Sequence, residues 1–181
     1  GLGVDSIDNV DLISREVLSA DLGISFSRRN LVVTFHPVTR EPRLGRKQLE
    51  NLLSCLDECE DTTLVFTLPN ADNESRELIK LIKNFIIDRP NSYVFDALGQ
   101  KYYLSLLSQV DAVVGNSSSG LAEAPSFKIG TVNIGSRQDG RIRAESVIDC
   151  PPEKNKISAA INKIYSKEFR KCLKNTRNPY G

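Results

Sequence analysis

Residues 31–68 read LVVTFHPVTREPRLGRKQLENLLSCLDECEDTTLVFTL and contain two kinds of segment. The two ends, LVVTF (31–35) and TLVFTL (63–68), are short apolar runs rich in β-branched residues, as expected for strands that are buried on both faces. Between them, one apolar face of a helix is formed by Leu49, Leu52, Leu53 and Leu56. This stretch predicts a β-α-β unit with parallel strands.

The same alternation continues along the rest of the chain. Four more strand-like runs are SYVF (92–95), DAVVG (111–115), GTVNI (130–134) and SVIDC (146–150). Helical spacing is found at about 5–21, 73–89 and 152–166, and the segment around Tyr102 and Tyr103 is also predicted to be helical. Strand and helix in regular alternation predict one α/β domain, a doubly wound, Rossmann-like parallel sheet.

Composition excludes several classes of partner and site. Lys and Arg number 24 against 23 Asp and Glu, so no net field points to nucleic acid or an anionic membrane. No apolar run is long enough to cross a bilayer, and the start lacks the pattern of a secretory signal. The four cysteines form no CxxC pair and His36 is the only histidine, so we predict free thiols, no metal site and a cytoplasmic location.

The chain begins at Gly1 and contains no methionine. We therefore expect it to be a piece of a longer protein.

Ligands of open parallel sheets bind beyond the carboxyl ends of the strands, so the residues that follow each strand are the site candidates. His36 follows the first strand, where it could donate a hydrogen bond to a phosphate or simply be a surface histidine. Asn70 follows the second strand in a turn, and Asp72 or Asn73 is suited to capping the next helix.

The fourth strand leads into GNSSSGLAE, residues 115–123. A helix beginning here needs one serine as its cap, whereas three serines and a glycine also offer free donors for an anion. Glu123 is expected several residues inside that helix, where its carboxylate could accept hydrogen bonds from a vicinal diol such as ribose. Arg137, after the fifth strand, has a guanidinium suited to phosphate. These residues together favour a diphosphate ligand.

Other motifs are missing. GxGxxG, GxxxxGK[ST] and GxSxG do not occur, and no pair of acids stands at the strand ends. The predicted site is therefore better equipped to bind than to carry out acid–base chemistry.

The segments TFHPVTRE, GNSSSGLAEAPSFKIGTVNIGSRQDGR and KNTRNPYG together resemble the C-terminal half of the UDP-N-acetylglucosamine 2-epimerases. The resemblance runs over essentially the whole chain. It implies one half of a two-domain GT-B architecture, with residues 1–181 as the C-terminal UDP-binding domain. It also implies a UDP-sugar substrate, no cofactor, an N-terminal domain as partner and a homo-oligomer.

The resemblance also implies roles for individual residues. Ser117 and Ser118 would hold the diphosphate, Glu123 would take the ribose hydroxyls, and Asn116 would be a further UDP contact. Arg137 and His36 would lie near the diphosphate and the leaving oxygen, with His36 as the catalytic candidate. The remaining predicted UDP contacts are Leu98, Tyr103 and Asn70. From spacing alone, packing of Tyr103 in the core is favoured over stacking on a nucleobase.

Non-hydrolysing members of this family look like TDSGG where this chain reads NSSSG, which favours the hydrolysing branch. Such an enzyme eliminates UDP through a 2-acetamidoglucal and adds water, releasing a 2-epimerised sugar such as N-acetylmannosamine for sialic-acid-type synthesis. Its acids and bases belong mainly to the N-terminal domain, so we expect the 181 residues alone to be inactive. The alternatives are the nucleotide-sugar half of a GT-B glycosyltransferase and a non-catalytic regulatory module.

Overall fold

The computed structural model describes residues 7–38 and 41–181, and in them a single parallel sheet forms the centre of the protein. Its six strands are β1 (Arg29–Thr34), β2 (Thr62–Thr67), β3 (Ser92–Phe95), β4 (Ala112–Gly115), β5 (Gly130–Ile134) and β6 (Val147–Cys150). All six coincide, within two residues, with the runs predicted from sequence. Every neighbouring pair is parallel, which confirms the predicted class of sheet.

The strand order is β3-β2-β1-β4-β5-β6. The chain builds outward from β1 in one direction, returns to the centre, and then builds outward from β4 in the other. β1 and β4 are hydrogen-bonded neighbours, with Thr34 in register with Gly115. The topological switch point therefore lies between the carboxyl ends of these two strands, where a doubly wound sheet opens a crevice.

Besides the helical residues Ile7 and Asp8, seven α-helices and one 3₁₀ turn lie wholly in the described residues. They are α1 (Arg15–Leu22), α2 (Pro42–Asp57), α3 (Arg76–Ile86), α4 (Gly99–Leu107), α5 (Ser119–Ala122), the 3₁₀ turn Ala124–Phe127, α6 (Lys154–Ile164) and α7 (Lys167–Lys174).

The helices cover both faces of the sheet. One core cluster joins α2, α3, α6 and α7 to the sheet, and the other joins α1 and α4 to the opposite face. Successive residues of β1 alternate between them: Leu31 and Val33 lie in the first cluster and Val32 in the second. This is why the strands read as unbroken apolar runs.

Three helices differ from the prediction. The helix expected at about 5–21 is interrupted, because Ile7 and Asp8 are helical and residues 10–14 are not. A separate helix, Arg15–Leu22, is capped by the Ser14 hydroxyl, which accepts from the Val17 N–H, and residues 1–6 lie outside the described part. The helix α7 was not predicted. The helix after the serines has a single turn, because a proline at position 125 has no N–H for a bond to the carbonyl of Leu121 and crowds that carbonyl.

Candidate functional site

A cleft of about 450 Å³ opens at the carboxyl edge of the sheet, beside the switch point. Five of the predicted UDP contacts line it: Leu98, Tyr103, Ser117, Ser118 and Glu123. The lining is completed by Thr34, Thr67, Gly99, Gln100 and Ser119. The structure thus brings together residues from the ends of β1, β2 and β4 and from the first turn of α4, as the rule for parallel sheets requires.

The seam between β1 and β4, meaning the line along which these two strands pair, is closely packed at Gly115. This glycine has a φ of +141°, and a Cβ placed on it would lie 1.9 Å from the carbonyl oxygen of Thr34. The next residue, Asn116, donates its backbone N–H to the same oxygen at 3.1 Å. Only a glycine permits this approach, which turns the chain out of β4 and into the serine segment.

Asn116 joins the two strand-end loops. Its Oδ1 accepts from the backbone N–H of His36 at 2.7 Å, and its Nδ2 donates to the His36 carbonyl at 3.0 Å. The side chain is 1% exposed, so it orders the loops from beneath and does not line the cleft. Its predicted role as a UDP contact stays a prediction, and the observed contacts give it a supporting role.

Arg137 is held beside His36 through the backbone of Asn116. The Arg137 guanidinium donates to the Asn116 carbonyl at 3.1 Å, and the Gln138 side-chain amide donates to it at 2.9 Å. The pKa of His36 is lowered from its usual 6.5 by burial and by the positive charge of Arg137, so its imidazole is neutral at pH 7. A neutral imidazole can donate one hydrogen bond and accept one. No sequence pattern pointed to a role for Gln138.

Serines 117 and 118 leave donors free. The Ser117 hydroxyl accepts from the Ser119 N–H at 3.2 Å, whereas Ser118 makes no side-chain cap. Among the described residues, no acceptor is found for the N–H groups of Ser117 and Ser118 or for the Ser118 hydroxyl. The helix that follows has only four residues, so its dipole is small and these free donors are what could hold an anion.

The third serine has a different role. The Ser119 side chain is buried and lies 2.6 Å from the Tyr103 hydroxyl. Burial raises the pKa of Tyr103 to about 12, so its hydroxyl stays protonated at neutral pH. Tyr103 packs against the second core cluster, which confirms the core interpretation. It also lines the cleft, and its contact with a nucleobase stays a prediction.

Glu123 is placed at the end of the short helix, and the expectation that it lies several residues inside a helix is wrong. The helix ends at Ala122 because of Pro125, and this puts the half-buried carboxylate at the cleft. Burial raises the pKa of Glu123, and a hydrogen bond from Ser119 opposes that rise. A half-buried carboxylate of this kind gains from hydroxyl donors such as those of a ribose diol.

Asn70 lies away from this group. It is exposed in the turn after β2 and is not among the cleft residues, whereas Thr67 of the same strand is. The capping prediction for this segment is wrong, because the N-cap of α3 is Ser75, which makes no side-chain cap. The Asp72 carboxylate instead accepts from the Ser75 N–H at 2.9 Å in the turn before the helix. As a UDP contact, Asn70 stays a prediction.

Several other features of the described residues bear on function. All four cysteines are free thiols, as predicted. Residues 7–38 and 41–181 contain no cluster of three or more His, Cys, Asp or Glu that could hold a metal. Within the same ranges, no helix has both the length and the apolar character needed to span a membrane.

The strand order and the cleft beside its switch point define a Rossmann-like α/β domain. The family model described as UDP-N-acetylglucosamine 2-epimerase matches residues 2–181, and the chain belongs to that family. This confirms the resemblance seen in the sequence. It also argues against a glycosyltransferase, whose fold is related.

Two curated relatives support the assignment. A Campylobacter jejuni protein named GDP/UDP-N,N'-diacetylbacillosamine 2-epimerase (hydrolyzing) is 37% identical over 167 residues, covering 91% of this chain and 42% of the relative. The Escherichia coli polysialic acid biosynthesis protein P7 is 35% identical, covering 99% of this chain and 46% of the relative. The predicted likeness to the hydrolysing branch agrees with the first of these names.

A solved structure shows the same fold. The Neisseria meningitidis UDP-GlcNAc 2-epimerase bound to UDP-GlcNAc superposes with a TM-score of 0.69 at 17% identity, covering 92% of this chain and 44% of that one. The chain thus spans about half the length of the proteins it matches. That share fits the prediction of one Rossmann-like half of a GT-B architecture.

Proposed function

We propose that residues 1–181 form the C-terminal UDP-binding domain of a hydrolysing 2-epimerase acting on a UDP-2-acetamido sugar. The products would be UDP and a free 2-epimerised sugar, such as N-acetylmannosamine or a diacetamido analogue, for sialic-acid-type synthesis. The observation that carries this proposal is the cleft that holds the free donors of Ser117 and Ser118 together with the carboxylate of Glu123. An N-terminal domain and further copies of the protein would be its partners.

The positions of the candidate residues suggest where each part of UDP would bind. The diphosphate would accept hydrogen bonds from Ser117 and Ser118, with the Arg137 guanidinium adding charge. The ribose diol would donate to Glu123, and the uracil would lie along the segment from Leu98 to Tyr103. Hydroxyl donors stabilise the ionised carboxylate, so UDP binding would lower the pKa of Glu123.

His36 would act where the leaving group departs. Elimination breaks the bond between the sugar C1 and the UDP oxygen while C2 loses its proton, and water then adds to the resulting double bond. The neutral imidazole can donate a hydrogen bond to the departing phosphate oxygen beside Arg137. Among the described residues that line the cleft, Glu123 is the one carboxylate, and the Tyr103 hydroxyl stays protonated at neutral pH, so the C2 proton would be handled by the other domain.

Calorimetric titration of the complete protein with UDP tests the binding site. Glu123→Ala removes the acceptor for the diol and should weaken binding by about tenfold or more, the usual worth of a hydrogen bond to a charged group. Arg137→Ala should weaken it comparably. Matched controls are Glu168→Ala and Arg141→Ala, which remove exposed charges at positions for which no UDP contact is predicted. Equal affinities in all four variants would overturn the assignment.

Product analysis tests the reaction. The complete protein, incubated with a UDP-2-acetamido sugar and no acceptor, should release UDP and the free 2-epimer in equal amounts. A glycosyltransferase would need an acceptor and would retain the configuration at C2. A UDP-sugar epimer still attached to UDP would point to the non-hydrolysing reaction.

A further inference from the structure

The closing segment KNTRNPYG, residues 174–181, folds back onto the turn that carries Glu123. The Asn178 side-chain amide donates to the Ala122 carbonyl at 2.8 Å and to the Ser126 hydroxyl at 2.7 Å. Its Oδ1 accepts from the Tyr180 N–H at 2.9 Å, which fixes the orientation of the amide. Both N–H groups and the oxygen of the Asn178 side-chain amide are therefore hydrogen-bonded.

The two acceptors stand on either side of Glu123 in sequence. Ala122 ends α5, so its carbonyl has lost the partner that a longer helix would supply. Ser126 belongs to the 3₁₀ turn, and its N–H donates to the Glu123 carbonyl at 3.1 Å. Asn178 thus bridges the end of the helix and the turn after it, and so restrains the backbone of the residue between them.

The same segment is held at further points. The Tyr180 hydroxyl donates to the Ile142 carbonyl at 2.9 Å, in the loop that follows Arg137. The Lys128 ammonium donates to the Lys174 carbonyl at 2.8 Å, and the Thr176 side chain is buried. The tail therefore rests on both chain segments that supply predicted ligand contacts after β4 and β5.

We propose that Asn178 is a positioning residue, which sets the Glu123 carboxylate for the ribose diol through its bonds to Ala122 and Ser126. The inference rests on the proposed function, in which Glu123 receives that diol. Asn178 is not among the residues of the cleft and acts only through the turn. A one-turn helix has little stability of its own, so an external amide has most to contribute at this position.

The test compares UDP with 2′,3′-dideoxy-UDP on the complete protein. Asn178→Asp keeps the size of the side chain and the oxygen that accepts from Tyr180. It removes the N–H groups that donate to Ala122 and Ser126, and it places a carboxylate oxygen against the Ala122 carbonyl. The ratio of the dideoxy-UDP Kd to the UDP Kd measures what the diol contributes. We expect that ratio to fall by about fivefold or more, while the affinity for dideoxy-UDP changes by less than about twofold.

Two further variants make the outcome decisive. Asn178→Ala removes the donors without adding charge and should lower the ratio as well, even if Asn178→Asp does not fold. Asn175→Asp introduces the same chemical change at an exposed position of the same tail, outside the cleft, and should leave the ratio unchanged. A fall in the Asn175→Asp ratio equal to that of Asn178→Asp would overturn the proposal.

Glu123→Gln separates the two levels of the proposal. If it lowers the ratio and neither Asn178 variant does, positioning by Asn178 is overturned while the diol role of Glu123 stands. If Glu123→Gln leaves the ratio unchanged, the diol role fails and the inference fails with it. A purely structural Asn178 would lower the melting temperature and weaken both ligands equally, which also overturns positioning.

Discussion

His36 is the only histidine in the chain, so its imidazole signals can be followed without assignment. Its pKa is lowered by burial first and by Arg137 second. We therefore expect an NMR titration to place it below 6.5, and Arg137→Gln to move it upward because one of the two causes is removed. Arg141→Gln takes a charge from the same loop and serves as the control, with no change expected. A pKa at or above 6.5 in the wild type would contradict the described surroundings.

The lowered pKa also has a consequence for stability. The unfolded chain has the ordinary histidine pKa of about 6.5, so below that pH it binds more protons than the folded protein does. The contribution of neutral His36 to the free energy of unfolding is therefore present above about pH 6.5 and is lost as the pH falls through and below that value. Bound UDP, which brings negative charge close to the imidazole, should raise the pKa and oppose this loss.

The turn from β4 into the serine segment depends on one glycine. Gly115→Ala would place a Cβ 1.9 Å from the Thr34 carbonyl and force alanine into a φ of +141°, so we expect a loss of about 3 kcal/mol or more in the free energy of unfolding. Gly140 also has a positive φ, +84°, but with nothing within 4 Å of a Cβ. Gly140→Ala should cost only about 1 kcal/mol, the strain alone.

Urea unfolding of the two glycine variants measures the difference. Similar costs for both would show that φ, and not the contact with Thr34, governs position 115. A larger cost at Gly140 would contradict the packing described at the seam.

A helix with several buried apolar residues at helical spacing was predictable from the sequence, whereas a helix with a single buried residue was not. α2 could be located because four leucines repeat at helical spacing and all four are buried. α7 has eight residues, mostly charged, and Phe169 is the one that is buried, so the sequence offers few apolar positions from which to predict it. A capping signal was present, because the Ser166 hydroxyl accepts from the Phe169 N–H.

The chain as a whole is expected to bind without turning over. A purified 181-residue chain, shown to be folded by circular dichroism, should bind UDP at least weakly and release none from UDP-N-acetylglucosamine. The reason is that the described residues lining the cleft provide donors and one carboxylate but no acid–base pair for the C2 proton. A coupled assay for UDP measures it, with the complete protein as positive control. Steady UDP release by the 181 residues would contradict this placement of the catalytic groups.

Much of the candidate site followed from position in the sequence, since residues after parallel strands meet at one edge. That reasoning brought Ser117, Ser118 and Glu123 to one cleft without structural information. It could not foresee that Asn116 turns inward to His36, 80 residues away, or that Ser119 pairs with Tyr103. Such contacts depend on which strands become neighbours and on side-chain direction, neither of which is encoded locally.

The seam between β1 and β4 joins two halves of the molecule that the chain completes separately. The first half supplies Thr34 and Thr67 to the cleft, and the second supplies the serines and Glu123. A nucleotide in the cleft would therefore contact residues of both halves. Its binding free energy would stabilise the whole sheet against unfolding. At a hundred times its Kd, a ligand adds about 2.7 kcal/mol to the free energy of unfolding. Amide hydrogen exchange in the central strands should then slow by about a hundredfold. The exchange rate of these buried amides would therefore report whether a nucleotide is bound in the cleft.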